Sequence, residues 1–410
     1  MRSFFRIWGR EYRNIFLDSG VLLIFFGAIL VYPLVYPIPY SPEVLRDVPV
    51  AVVDMDHSQL SRKFIRMMDA HELLRIASFH TSLTEARDQF FRGSVNGIVV
   101  IPGDFTKNIL RKEQAVVAAY CDASYFLLYR QVLTGVLYTT GTLSAGVEVK
   151  RMMAKGFTRG QAMAARDPVP LLSYPLFNPS GGYASYVVPP VLMLILQQTL
   201  LIGIGMLGGT VREKKGRHFL IPEEQSTGVV SLLLGKSAAY LSLYIVHAVY
   251  FFVFLFRIYR FPQRGEPLEL LLFILPFLTS VIFLGLTLTA LFRNREISMM
   301  ALLFTSIPVL FLAGFSWPPE SIPEWLRILS FMLPSTAGID GFLKLSIMGA
   351  TLPEVGFQWI LLWGLTGLYF TVACLTVKHI AKKGKVQGDV GERDREDAGG
   401  TPGILSENES

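Results

Sequence analysis

The stretch Val187–Gly209 reads VVPPVLMLILQQTLLIGIGMLGG and contains no charged side chain. A helix rises about 1.5 Å per residue, so twenty-three residues reach about 34 Å, enough to cross a hydrocarbon core about 30 Å thick. Five further segments read the same way: Val21–Ile38, Ser237–Phe256, Leu270–Phe292, Ile297–Phe315 and Phe357–Val377. None of the six cores holds Asp, Glu, Lys or Arg. The whole 410-residue chain agrees, with 17% charged residues and a mean hydropathy of +0.44, against about 25% charge in soluble domains. The reading is a mainly α membrane protein with six transmembrane helices. The first apolar segment follows basic residues, as a signal peptide does, but PIPYSP comes after it with no small-x-small cleavage site. It is expected to stay as an anchor.

Lys and Arg in the short loops set the orientation. One side carries Arg2, Arg6, Arg10, Arg13, Arg212, Lys214, Lys215, Arg217, Lys236, Arg293, Arg295, Lys378, Lys382, Lys383 and Lys385. The other carries Arg257, Arg260, Arg264, Arg327 and Lys344. Fifteen against five puts both termini in the cytoplasm and residues 39–185 outside. The net charge of +6 expresses this asymmetry and does not indicate nucleic-acid binding. Cys121 and Cys374 fall in different compartments, so no disulfide is expected.

Residues 1–20 form an amphipathic helix on a helical wheel. Phe4, Phe5, Ile7, Trp8, Tyr12, Ile15 and Phe16 share one half, and Arg2, Arg6, Arg10, Arg13 and Asn14 the other. That pattern suits the headgroup layer of the lipid bilayer. Between the first two spans the texture is that of an inserted α/β domain. Strands are expected at Val48–Val53, Leu73–Phe79, Gly97–Ile101 and Ala115–Tyr120. Helices are expected at Ser58–Ala70, Leu83–Gly93 and Asp104–Lys112, with Asp56 or Ser58 as the first N-cap. A long helical stretch, Tyr125–Arg166, leads back through Pro168, Pro170 and Pro175. After the block of spans at 186–378, residues 379–410 read as a disordered cytoplasmic tail.

Two strings imitate nucleotide sites. Gly203, Gly205 and Gly208 spell G-x-G-x-x-G, but inside an apolar span, where Gly205 and Gly209 form a G-x-x-x-G helix-packing pair. Gly235-Lys236-Ser237 resembles the end of a phosphate loop, yet Val230 stands where the first glycine belongs. The chain is therefore expected to bind no cofactor and to catalyse nothing itself. His57, His71 and His80 lack metal-site spacing, and Asp54 and Asp56 read as turn or cap residues. The polar core residues Gln197, Gln198 and His247 either bond between helices or line a transport path. Spans without carboxylates argue against an ion-driven carrier.

Three stretches resemble the permease subunits of type-2 ABC exporters with a large extracytoplasmic domain. They are VPVAVVDMDHSQLSRKFIRMM (48–68), YPLFNPSGGYASYVVPPVLMLIL (174–196) and LAGFSWPPESIPEWLRILSFMLPST (312–336). The last places Pro318, Pro323, Trp325 and Pro334 in a family-like re-entrant turn, within a segment expected at 317–350. In the loop after the second span, Arg212, Glu213, Lys214, Lys215 and Arg217 stand where such permeases touch their ATPase, although His218–Gln225 replaces the family's Leu-Leu-Thr-Pro core. The resemblance implies a half-transporter that pairs with a second permease copy or sister chain. ATP and magnesium would be held by a separate ABC ATPase, and a periplasmic adaptor would be a further partner. It also implies a bacterial inner-membrane location. The rival reading is a membrane-anchored binding or scaffold protein whose α/β domain is the working part.

Overall fold

A computed structural model describes residues 2–215, 228–292 and 294–398, which divide into two compact units: 1–41 with 176–410, and 42–175. Among the described residues of the first unit, six helices are long and apolar enough to cross a membrane: Ser19–Tyr40, Tyr183–Glu213, Val229–Tyr259, Pro267–Leu288, Arg295–Leu312 and Gly356–His379. Each overlaps a segment read from the sequence, usually with an added turn at one or both ends. The second span is the centre of the unit, with 83% of its apolar window buried, whereas the fifth has 17%.

The second span's glycines account for its central position. A Cβ on Gly203 would collide with the Phe25 ring of the first span, and one on Gly205 with Ser298 Oγ of the fifth. On Gly208 it would lie 2.8 Å from Thr289, and on Gly209 2.6 Å from the Arg295 amide nitrogen. Four glycines thus admit three neighbouring spans and the loop before the fifth. Such close approach lets dispersion contacts hold helices together where lipid removes the hydrophobic driving force.

The N-terminal helix α1 (Arg2–Leu17) runs beside the leading half of the third span, from Ser3 against Ser231 to Tyr12 against Ser242. Its buried face is Ile7, Glu11 and Ile15, spaced one turn apart, while Phe5 and Phe16 remain exposed. The apolar half read from the wheel therefore divides into a protein-facing strip and an outward strip.

The second unit is an α/β fold. Its four-stranded sheet has the order β2-β1-β3-β4, from β1 (Val48–Asp54), β2 (Leu74–His80), β3 (Gly97–Ile101) and β4 (Ala118–Cys121). β1 pairs in parallel with β2 and β3, and β4 is antiparallel to β3. Successive side chains point to opposite faces. Val48, Val50 and Val52 accordingly meet α2 (Gln59–Asp69), α4 (Phe105–Arg111) and α5 (Phe126–Met153), while Ala51 and Val53 join Ala86 of α3 (Leu83–Phe91). The helical stretch expected through Arg166 is interrupted at Gly156 (φ +95°) and resumes as α6 (Arg159–Arg166), capped by Thr158 and Gln161.

Beyond the fifth span a single 3-10 turn leads to α7 (Glu324–Ser330) and α8 (Pro334–Leu343). Pro334 opens α8 at a position where its missing N–H costs nothing. The final helix runs Gly356–Ala398, past residue 379 where the sequence reading begins a disordered tail. Its Lys, Glu and Arg residues favour a helix there, against Gly384, Gly388 and Gly391.

Candidate functional site

At the Lys- and Arg-rich end of the spans, charged side chains are held by other parts of the same chain. Glu11 is 3% exposed and lies 3.7 Å from Lys236 Nζ, and the Tyr240 hydroxyl donates to its Oε1. Gly235 makes room for this contact, since a Cβ there would come within 2.9 Å of Ile7. The string that imitates a phosphate loop is thus a helix-packing and ion-pairing element. Glu11 was missed by the sequence reading, although a carboxylate in the middle of an apolar arc is a visible signal.

Asp18 ties three spans. Its Oδ1 accepts the Gly20 and Val21 amides at 3.1 Å, capping the first span. Arg295 meets it through two nitrogens, at 2.8 Å and 3.0 Å, in the paired geometry that makes arginine–carboxylate contacts strong. Gly20 leaves space for that guanidinium. Thr210 Oγ1 of the second span donates to the same carboxylate at 3.4 Å.

The residues expected at the ATPase contact join this arrangement in part. Arg212 donates to the Ala290 carbonyl at 2.8 Å and to the Phe292 carbonyl. Glu213 accepts the Arg295 amide at 2.7 Å, in the first turn of the fifth span. Lys214 and Lys215 end the second-span helix, with side chains outside the described set. Arg217 and the His218–Gln225 loop lie outside the described residues. Arg212 and Glu213 therefore join the second span to the fourth-to-fifth junction, work that topology-setting charges alone do not require.

Deeper in the bundle lie the polar core residues. The Tyr244 hydroxyl donates to Thr199 Oγ1 at 3.1 Å, and the His247 ring stands edge-on to Tyr244 and Phe26 at 5.1 Å and 5.7 Å. Gln197 and Gln198 precede Thr199 and are 1% and 7% exposed. Gln197 Oε1, both polar atoms of the Gln198 amide, and His247 Nε2 have no hydrogen-bond partner among the described residues. An unmet buried group costs roughly 1–3 kcal/mol, so each of these atoms calls for a partner beyond the described residues. The structure brings His247 to Tyr244 and Thr199; it joins neither glutamine to His247 by a hydrogen bond. Of the turn residues, Pro318 precedes the 3-10 turn, Pro323 caps α7, and Trp325 is 69% exposed.

In the α/β unit the position where open sheets bind ligands, between the carboxyl ends of β1 and β3, is filled by the chain itself. Asp54 accepts the Asp56 and His57 amides at 3.1 Å and Ser61 Oγ at 2.8 Å. Asp56 accepts Thr106 Oγ1 at 2.6 Å and the Thr106 amide at 3.3 Å, while Ser58 caps α2. Partial burial acts to raise the Asp56 pKa, but the bonds from Ser58 and Thr106 outweigh it and hold the carboxyl below its ordinary value. A depressed folded-state pKa gives stability that is present above the unfolded value and lost as pH falls through the folded one. The protection factors of the Phe105–Arg111 amides in the full-length protein, taken relative to intrinsic exchange at each pH, are therefore expected to fall on acidification, and Asp56→Ala to lower them already at neutral pH. Equal protection in parent and variant at neutral pH would show that Asp56 does not hold α4.

Among the described residues no His, Cys, Asp and Glu group could hold a metal, and both cysteines are free.

The family model described as ABC-2 family transporter protein matches residues 19–375. The chain is 21% identical over 386 residues to the inner membrane transport permease YhhJ of Escherichia coli, covering 92% of this chain and 96% of that one. It is 22% identical over 402 residues to the linearmycin resistance permease protein LnrN of Bacillus subtilis, covering 92% and 97%. With ABC transporter G family member 20 of Dictyostelium discoideum it shares 19% identity over 341 residues, 81% of this chain and 45% of that protein.

Proposed function

Since the chain belongs to the ABC-2 transporter family and is the membrane component of an ABC transporter with an ATPase partner, we propose that it is the half-transporter of an exporter. Two copies, or this chain and a sister chain, form the path, and a separate ATPase drives it by alternating access. The carrying observation is the family match across all six spans, 19–375. The span cores read from the sequence hold no charge, so ion coupling has no carrier groups and the energy enters from the ATPase side. The name of the linearmycin resistance permease supports the outward direction, and that of YhhJ the inner membrane.

In this reading both termini are cytoplasmic and the α/β unit is extracytoplasmic, as the fifteen-to-five charge bias favours. The exposed aromatic strip of α1 faces lipid, and α7 and α8 form a re-entrant segment. Arg212 and Glu213 pass ATPase movement to the fourth-to-fifth junction, with Lys214, Lys215 and Arg217 meeting the ATPase. Gln197, Gln198 and His247 line the substrate path. A periplasmic adaptor docks on the α/β unit. The scaffold alternative gains nothing from that unit, whose usual ligand position is occupied by Asp56, Ser58 and Thr106.

The test is direct. Purified alone, the chain neither binds nor hydrolyses ATP, and single cysteines at Ser58 and Asn96 label from outside while one at Lys215 labels only after lysis. Saturable ATP binding by the isolated chain would overturn the division of roles, and external labelling at Lys215 the orientation.

A further inference from the structure

A cavity lies at the far end of the fifth span, between Leu312, α7, α8 and the start of the sixth span. Its volume is about 320 Å³, at the small end for ligand sites, so it suits a headgroup and not a whole lipid. One wall is apolar, with Phe315 and Phe357. The other carries both signs of charge: Arg327 and Lys344, with Glu320 and Asp340.

The charges are not paired off evenly. Asp340 Oδ2 takes Lys344 Nζ at 2.8 Å and Gln358 Nε2 at 2.6 Å, which leaves Oδ1 available. Arg327 lines the same cavity, half-buried, and its guanidinium makes no ion pair or hydrogen bond among the described residues. A half-buried guanidinium is a strong receptor for phosphate, which its planar fork binds in two places. Asp340 Oδ1 and Glu320 suit an ammonium group and would repel a second negative charge. Trp317 and Trp325 stand two residues from the lining residues Phe315 and Arg327 in the chain and are 58% and 69% exposed, as aromatic residues are at a membrane–water interface.

We propose that this cavity binds a phosphate ester bearing a primary ammonium group, the chemistry of a phosphatidylethanolamine headgroup, with phosphate on Arg327 and ammonium on Asp340. Both the phosphate and the ammonium would thereby gain a partner of opposite charge, and the acyl chains would leave past Phe357 toward the bilayer. The site is separate from the proposed path residues, and its test needs neither the ATPase nor a known substrate.

The full-length chain in detergent is titrated with short-chain phosphatidylethanolamine, short-chain phosphatidylglycerol and O-phosphoethanolamine, with tryptophan fluorescence as the readout. Phosphatidylethanolamine is expected to saturate at least about tenfold more tightly than phosphatidylglycerol. Arg327→Gln should weaken both lipids about tenfold, and Asp340→Asn should remove the discrimination between them, with thermal unfolding of each variant read in parallel. If O-phosphoethanolamine binds as tightly as the lipid, the chemistry stands and the source is a soluble ester; weaker binding assigns it to lipid. Equal affinity for the two lipids in the parent, or discrimination kept in Asp340→Asn, overturns the proposal.

Discussion

Replacing Gly209 by valine is expected to leave almost no folded protein in the membrane. A Cβ at this position would lie 2.6 Å from the Arg295 nitrogen, 2.7 Å from its Cα and 2.7 Å from the Asn294 carbonyl carbon. All three are backbone atoms, so no rotamer change relieves the clash. The second and fifth spans must move apart, and with them go the Arg295–Asp18 pair and the Glu213–Arg295 bond. Overpacking alone costs typically about 1–3 kcal/mol, and the loss of these joined contacts adds to it. Size-exclusion yield of a fluorescently tagged chain should fall at least about tenfold. Gly364→Ala in the sixth span, where nothing lies within 4 Å, is the control and should match the parent. A monodisperse Gly209→Val protein at parental yield would mean that the close approach is not required.

Lys236→Ala should be the most damaging single change among the charged residues. The Glu11 side chain is 4% exposed, and removing Lys236 leaves a buried carboxylate that keeps the Tyr240 hydroxyl but loses the ammonium that balances its charge. Breaking such a pair costs about 3–5 kcal/mol, whereas replacing both members with uncharged groups is often neutral. The melting temperature of Lys236→Ala should therefore fall by on the order of 10 °C. Glu11→Gln combined with Lys236→Met should recover most of the loss. A single variant melting within about 1 °C of the parent, on the same scale, would show that Glu11 does not depend on Lys236.

The membrane unit was legible because its signal is long: twenty apolar residues without charge have few other meanings. The strands of the α/β unit were legible for a local reason, since Val48–Val53 and Gly97–Ile101 alternate or cluster β-branched residues between turns. What escaped was whatever depends on partners far away in the chain. Glu11 looks like one acidic residue in a basic leader until Lys236 and Tyr240 are beside it. Asp18, Arg295 and Gly20 carry no shared motif, and only the packing of spans brings them together. Arg212, Lys236 and Arg295 were counted as orientation charges. The sequence cannot distinguish a loop cation facing water from one holding a carbonyl or carboxylate of another span.

The Asp18–Arg295 pair also constrains how the chain is made. Its members are 277 residues apart, so the carboxylate leaves the ribosome long before its partner. At roughly 5–20 residues per second, that interval is on the order of 15–60 seconds. Throughout it Asp18 has its own helix end and, once the second span is made, Thr210, but no cation, and for the earlier part of it Glu11 also awaits Lys236. A nascent chain that stops short of the fifth span therefore presents Asp18 without Arg295, and one that stops short of the third leaves Glu11 without Lys236 as well. The finished chain withdraws both, which gives the cell a chemical difference between an incomplete bundle and a complete one.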